Sequence, residues 1–332
     1  MKTPRHILLS RTDSIGDVVL TLPMAAVLKE AFPGVKVSFL GKGYTQPVIE
    51  ACEYVDQFID EADFLNGSNR SRQFDAIVHV LPKAHIARKA KALGIPVRIG
   101  TTNRLFHWWT CSKLVRLGRK NSLLHESQLN IKLLSPLGIR NDFSLAELGN
   151  KIGLHPKVNI PSDMDSLISQ TQPNVILHPK SQGSAREWGL DNFADLAKRL
   201  SDDGCKVFIS GTKADAEQLQ PLLSVAAGIA TDITGRMDLS QFIAFIQRCD
   251  ALVAASTGPL HLASALGKVA IGLYPPIRPM HPGRWAPIGP KSVALEARPS
   301  CVDCKSNPSA CHCMQEILPA RVEEAVRLQM RQ

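Results

Sequence analysis

The sequence predicts an α/β protein of two Rossmann-like units, each built on a parallel sheet. Three observations carry that expectation. Short apolar runs alternate with helical patterns along most of the 332 residues, which is the signature of β-α-β crossovers. A chain of this length exceeds the usual size of one hydrophobic core. The alternation also lapses once, between 140 and 173, where Gly149, Gly153, Pro156, Pro161 and Pro173 are scattered among polar residues. The boundary is placed there, giving a first unit over 1–150 and a second over 151–332.

In the first unit, His6 to Ser10 reads as a strand, closed by Arg11-Thr12-Asp13-Ser14-Ile15-Gly16-Asp17. VVLTLPMAAVLKEAF then has helical period, with a proline at Pro23. Val35 to Leu40, Ala76 to Val80 and Val97 to Ile99 read as further strands, with helical patterns at Gln46 to Cys52 and Ile86 to Leu93. His125-Glu126-Ser127 opens a helix to about Leu134, and Pro136-Leu137-Gly138 ends it.

The second unit repeats the alternation. Val175 to His178 and Lys206 to Ser210 read as strands, and Leu190 to Leu200, Ala214 to Leu223 and Leu239 to Arg248 as helices. The most informative stretch follows, ALVAASTGPLHLASALGKVAIGLYPP over Ala251 to Pro276. Leu252 to Ala255 suits a buried parallel strand. Ser256-Thr257-Gly258-Pro259 breaks it, Leu260 opens a short helix, and a second strand follows. Pro259 fits a first helical turn, where its missing N–H costs nothing, and Gly258 lets another group approach the backbone. A final amphipathic helix runs from Leu318 to Met330. In such sheets ligands bind beyond the carboxyl ends of the strands. The loops after Ser10, His178, Ser210 and Ala255 are therefore expected to look into one cleft.

The formal charge is +9, and its distribution is uneven: from Ala76 to His125 there are ten Lys or Arg and no Asp or Glu. Within that stretch, Trp108 and Trp109 stand among Arg104, Lys113, Arg116, Arg119 and Lys120. This interleaving suits an anionic interface, whether a lipid headgroup, an acidic saccharide or nucleic acid. The alternative is a solvated face. No recognised nucleic-acid motif accompanies the stretch, and TDSIGDV lacks the G-x-G-x-x-G of a nicotinamide site. No run of eighteen apolar residues and no signal-peptide pattern appears, so a cytoplasmic protein is expected.

Of eight cysteines, Cys52, Cys111, Cys205 and Cys249 are scattered and read as small buried or half-buried hydrophobes. Cys301, Cys304, Cys311, His312 and Cys313 cluster within thirteen residues, enough for a structural zinc or for a reduced thiol cluster that folds the tail.

Three loops carry chemistry. Asp17, beside Gly16 at a first helical turn, suits a carboxylate that accepts a proton from a substrate hydroxyl, or a simple helix cap. Asp13 stands in the same loop. The start of the helix after Ser256 suits a phosphate or diphosphate, with Ser256, Thr257 and His261 as added donors. The loop after His178 offers Lys180, Ser181, Ser184 and Arg186, and an Arg can bond phosphate oxygens bidentately.

Together these blocks resemble the lipopolysaccharide heptosyltransferases of glycosyltransferase family 9. The resemblance is carried by RTDSIGDVVLTLP, HESQLNIKLLSPLGI, SAREWGLDNFADLAKRL, ITGRMDLSQFIAFIQRCDALVAASTGPLHLASALG and the cysteine-rich tail. It implies a GT-B architecture of two Rossmann-like domains facing across a cleft, with the acceptor on the first and the nucleotide-sugar, typically ADP-heptose, on the second. Transfer is then inverting and needs no catalytic metal or cofactor. Asp17, in the Gly16-Asp17 pair, becomes the base on the acceptor hydroxyl, and Arg186 the cation on the leaving diphosphate. Thr257, Gly258 and His261 match the phosphate-binding turn and Ser181 a hydroxyl near the phosphates. Asp215 or Glu217 falls where an acidic group binds the ribose, and Met237 near the adenine. Ser256 stands where the family carries an Asp that contacts the donor sugar, a difference bearing on which sugar is transferred. Asp13, Arg104, Arg116 and Arg119 are expected on the acceptor side. An anionic lipid-linked saccharide would then explain the basic stretch, through peripheral contact with the inner face of the inner membrane, and no nucleic-acid partner is expected. The competing readings are a GT-B enzyme using another nucleotide-sugar, including an epimerase-like one, and a nucleic-acid-binding Rossmann protein.

Overall fold

A computed structural model of the chain describes residues 3–67, 74–119, 122–278, 280–297 and 312–331. The first sheet is formed by β1 (His6–Ser10), β2 (Lys36–Gly41), β3 (Gln57–Asp60), β4 (Ala76–His79), β5 (Val97–Thr101) and β6 (Lys113–Val115). The second is formed by β7 (Asn174–His178), β8 (Lys206–Ile209), β9 (Ala230–Asp232), β10 (Ala251–Ala255), β11 (Val269–Tyr274) and β12 (Ser292–Glu296). Their orders are β3-β2-β1-β4-β5-β6 and β12-β11-β10-β7-β8-β9. All neighbours pair in parallel. Read from its own first strand, each sheet has the order 3-2-1-4-5-6, whose switch point falls between strands one and four. In the first unit that is the β1/β4 crevice, and in the second the β7/β10 crevice.

The central strands are legible because both faces of a parallel sheet are covered by helices. Every residue of β1, β4, β7, β10 and β11 is buried. The strands that apolar runs do not announce are β3, β6, β9 and β12, which are the four sheet edges. QFID, KLV, ATD and SVALE are short and mostly half-exposed, as edges that avoid pairing with another chain tend to be.

The helical stretch after Asp17 is two helices, Ile15–Val19 and Pro23–Ala31. Pro23 starts the second because it has no N–H to extend the first. The break leaves the Leu20 carbonyl to accept from Ser127 Oγ at 2.9 Å and from Asn130 Nδ2 at 3.2 Å. The helix Glu126–Lys132 is thereby tied beneath the loop that follows β1. That helix opens with a capping box, in which His125 Nδ1 accepts from the Ser127 N–H and the His125 N–H donates to Gln128 Oε1.

The chain divides into two compact units, 1–155 and 156–332. Residues 151–155 travel with the first. The Glu53 N–H donates to the Gly153 carbonyl at 2.9 Å, the His155 N–H to the Ala51 carbonyl at 2.8 Å, and Cys52 pairs with Leu154. In the second unit the helix Pro319–Met330 buries Val322 and Val326. Trp188, 1% exposed, donates its indole N–H to the Ile317 carbonyl at 2.8 Å, which fixes the end of the loop after β7. Cys52, Cys205, Cys249 and Cys313 are buried and Cys111 is half-buried. Cys301, Cys304 and Cys311 lie outside the described residues.

Candidate active site

In the first unit the β1/β4 crevice is lined by a charged cluster. Arg11, 3% exposed, directly follows β1. Its Nε donates to Asp13 Oδ1 at 2.7 Å and its Nη1 to Glu126 Oε1 at 2.9 Å, while its Nη2 donates to Asp17 Oδ1. The other Asp17 oxygen accepts from the exposed Ser14 hydroxyl at 2.5 Å. Asp17 sits in the first turn of its helix next to the buried Gly16. Ser14, at the N-cap, makes no side-chain cap bond, and the Asp17 carboxylate is directed to Arg11 and Ser14.

Burial pushes the Asp13 carboxyl above its usual range; the Arg11 charge opposes this and the Asp17 charge adds to it. Tyr44 closes one side, donating its hydroxyl to the Asp13 carbonyl at 2.7 Å. Beneath lies Glu126, 1% exposed, which also accepts from Arg119 Nη1. Arg119 donates further to the Val80 carbonyl at 3.2 Å and to Asn130 Oδ1 at 3.1 Å. Arg119 is thus built into the cluster, whereas Arg104 and Arg116 are exposed. Beside Ser10 in register stands His79, fully buried and pushed down to about 3 by desolvation. It is neutral, and its ring lies 5.6 Å from that of His107.

In the second unit two loops meet the β7/β10 crevice. The loop after β7 folds on its own polar groups. Ser181 Oγ donates to the Ala185 carbonyl at 2.9 Å, the Ser181 N–H to Glu187 Oε1 at 2.9 Å, and Lys180 Nζ to Glu187 Oε2 at 2.5 Å. Ser181 is therefore used to shape the loop. Gln182 has a left-handed backbone, φ 49°, followed by Gly183 at φ 80°. A side-chain bond from Gln182 Nε2 to Thr212 Oγ1 at 2.9 Å anchors that turn to the loop after β8. Arg186, half-buried, follows on the same loop. His178, at the end of β7, pairs through Nδ1 with Ser210 Oγ at 2.9 Å, and burial pushes it down to about 4.

After β10, Thr257 caps the eight-residue helix Gly258–Ala265 with extended backbone. The Thr257 hydroxyl is buried and has no hydrogen-bond partner among the described residues. His261, 3% exposed, sits in the same turn. Ser256 hydrogen-bonds Tyr274, a fully buried side chain whose own hydroxyl donates to the Trp285 carbonyl at 2.6 Å. Asp215 is 4% exposed and spent on a capping box, accepting from the Thr212 N–H at 2.8 Å and the Thr212 hydroxyl at 2.7 Å. Glu217 is exposed in the following helix, and Met237 is half-buried in the segment before Leu239–Arg248.

In each unit a group of candidate residues gathers at the topological switch point, a charged cluster in the first and, in the second, a helix start that carries the buried Thr257 hydroxyl. A family profile described as glycosyltransferase family 9 (heptosyltransferase) matches residues 68–315. The chain belongs to that family. Among similar proteins, a putative glycosyltransferase of Haemophilus influenzae is 27% identical over 297 residues, covering 85% of this chain and 86% of its own. A glycosyltransferase family 9 structure from Veillonella parvula, 21% identical, superposes with a TM-score of 0.78, covering 100% of this chain and 99% of that one. The structure of the Escherichia coli ADP-heptose lps heptosyltransferase II, 19% identical, gives 0.74, covering 98% of each. The heptosyltransferase family is thus shown, and with it a glycosyltransferase of the two-unit GT-B type. Two residues of the first cluster escape a reading of the sequence. Arg11 stands in the RTDSIGD block but carries no mark of its role, and Glu126 looks like the first residue of an ordinary helix.

Proposed function

We propose that this chain transfers a heptosyl group from ADP-heptose to an acceptor sugar of the lipopolysaccharide inner core, with inversion. The observation that carries the donor half is the buried, unpartnered Thr257 hydroxyl at the start of the helix Gly258–Ala265. A buried hydroxyl left without a partner is costly, and a helix start favours an anion. A diphosphate seated there would satisfy both, with His261 and Arg186 as further donors. On this reading the leaving diphosphate needs no metal ion.

In the acceptor half, Asp17 takes the proton of the acceptor hydroxyl as its oxygen forms a bond to the anomeric carbon. The bond from that carbon to the diphosphate oxygen breaks, and its electron pair leaves with ADP. One displacement inverts the anomeric centre. The Ser14 hydroxyl on Asp17 Oδ2 marks where the acceptor hydroxyl would donate.

A nucleotide panel tests the donor. Thermal unfolding is expected to rise with ADP and ADP-heptose and not with UDP, GDP or CMP, and Thr257→Val is expected to lose most of that rise. A preference for another nucleotide would overturn the donor assignment. One observation favours a second reading, in which the sugar on ADP is not heptose. Ser256 is neutral and turned to Tyr274, so no carboxylate from that position meets the sugar. Stabilisation by ADP but by no added increment from the heptose would support it.

The acceptor reading extends to a membrane. Leu105, Trp108 and Trp109 are 77%, 59% and 60% exposed, beside exposed Arg104, Lys113 and Arg116. Aromatic and basic groups of this kind insert at and neutralise an anionic lipid surface. No helix among the described residues is long and apolar enough to cross a membrane, so contact would be peripheral. Trp108→Ser with Arg116→Glu is expected to reduce co-sedimentation with phosphatidylglycerol vesicles at least ~10-fold, each basic contact being worth about 1 kcal/mol. Unchanged sedimentation would remove this surface from the account. Arg119 is a poor choice for that test because it bonds Glu126.

A further inference from the structure

We infer that Glu126 and Arg11 are positioning residues that aim the Asp17 carboxylate, an inference that rests on Asp17 being the base. A guanidinium is a rigid planar fork of five N–H donors. Fixing two of its nitrogens fixes the direction of the third. Here Asp13 holds Nε at 2.7 Å and Glu126 holds Nη1 at 2.9 Å, so Nη2 is aimed at Asp17 Oδ1. A lysine could not transmit direction in this way, since its ammonium is a single point charge on a flexible stem.

Glu126 is the deepest element of the arrangement. At 1% exposure its charge is offset by two guanidiniums, Arg11 and Arg119, that bond it. It is also anchored by its helix, whose next residues hold the Leu20 carbonyl just beyond Asp17's own helix. With Oδ1 locked by Arg11, Oδ2 is left facing the exposed Ser14 hydroxyl, the one contact that an incoming hydroxyl can replace without breaking the cluster. Glu126 thus sets, from 109 positions along the chain, which carboxylate oxygen is offered to the acceptor.

The groups that face Asp17 are Arg11 and Asp13 from its own loop and Tyr44 from the segment after β2, with Glu126 and Arg119 behind Arg11. Neutralising Glu126 leaves Arg11 and Arg119 with one negative charge fewer between them. The acid limb of kcat/KM should then move to lower pH. Removing Arg11 as well should move it back up, by about 1–3 pH units, the range for an opposite charge in contact.

The test uses the full chain, ADP-heptose and a deacylated inner-core acceptor, with Glu126→Gln and the double variant Arg11→Gln/Glu126→Gln. Both keep the cluster near its charge balance and are chosen to fold. In Glu126→Gln the expected result is a downward shift of the acid limb, with kcat reduced ~10-fold or more by misalignment and the KM for ADP-heptose within about twofold of wild type. In the double variant the limb returns upward. An acid limb that stays at the wild-type pH in both variants overturns the inference. A second readout needs no substrate: in protein labelled with ¹⁵N-arginine, the Arg11 Nη1–H signal, the one donated to Glu126, is expected to exchange slowly and to exchange at least ~10-fold faster in Glu126→Gln. An unchanged exchange rate likewise overturns it. Absence of turnover in the wild type would instead remove the heptosyl reading, and the exchange rates would then decide alone whether Glu126 holds Arg11.

Discussion

Asp17→Asn is expected to lower kcat for heptosyl transfer by about 10²–10⁴-fold, the contribution of a positioned general base, with the thermal unfolding transition little changed. The substitution is close to isosteric. An asparagine whose amide oxygen faces Arg11 Nη2 can still accept that bond, so the cluster loses one charge and little geometry. Its amide nitrogen then faces Ser14 and the acceptor, a donor where an acceptor is needed. The binding of ADP-heptose should be unaffected, because the diphosphate seat proposed at Thr257 belongs to the other unit and Asp17 makes no bond to Thr257. The measurement is kcat beside donor affinity by calorimetry. Turnover within tenfold of wild type would take the base role from Asp17, and a parallel loss of donor affinity would show that the variant disturbs more than the acceptor side.

The second large effect is on stability. Arg11→Ala is expected to destabilise the first unit by roughly 3–5 kcal/mol, the usual consequence of removing one partner from a buried ion pair. Arg11 serves three carboxylates at once, one of them, Glu126, almost fully shielded from water and the other two half-buried. Without it, Glu126 loses one of its two guanidinium bonds, while Asp13 and Asp17 are left facing one another. Burial already pushes Asp13 upward, and losing Arg11 would push it further. The destabilisation should therefore be smaller at pH 5 than at pH 8, since a protonated Asp13 relieves part of the repulsion. Urea unfolding at both pH values measures this. A loss under 1 kcal/mol at pH 8 would mean that water reaches the cluster and the fork is not a buried one.

The sequence disclosed whatever is written locally. β1, β7 and β10 announce themselves as buried apolar runs, and the helix Leu239–Arg248 can be read to its observed limits because Asp238 and Gln241 form a capping box around a strongly amphipathic pattern. The edge strands are hidden, because a strand covered on one side and three to five residues long has neither the run nor the alternation that marks its neighbours. The same division holds at the sites. Thr257, Gly258 and His261 are legible from a strand, a small-residue turn and a helix start, all within one stretch. Arg11 and Glu126 are not, because an ion pair across more than a hundred residues leaves no trace in local pattern. Ser181 and Asp215 show the reverse. Their types and positions suit a ligand, yet the fold uses one to close a loop and the other to cap a turn.

The central claim is heptosyl transfer by single displacement, and the anomeric configuration of the product tests it most directly. Purified protein is incubated with ADP-heptose and a deacylated inner-core acceptor, and the new glycosidic linkage is read by the one-bond carbon–proton coupling of its anomeric centre. The account predicts a heptosylated product of inverted configuration, formed with one equivalent of ADP. A product of retained configuration would contradict it, and so would ADP released with free heptose and no new linkage.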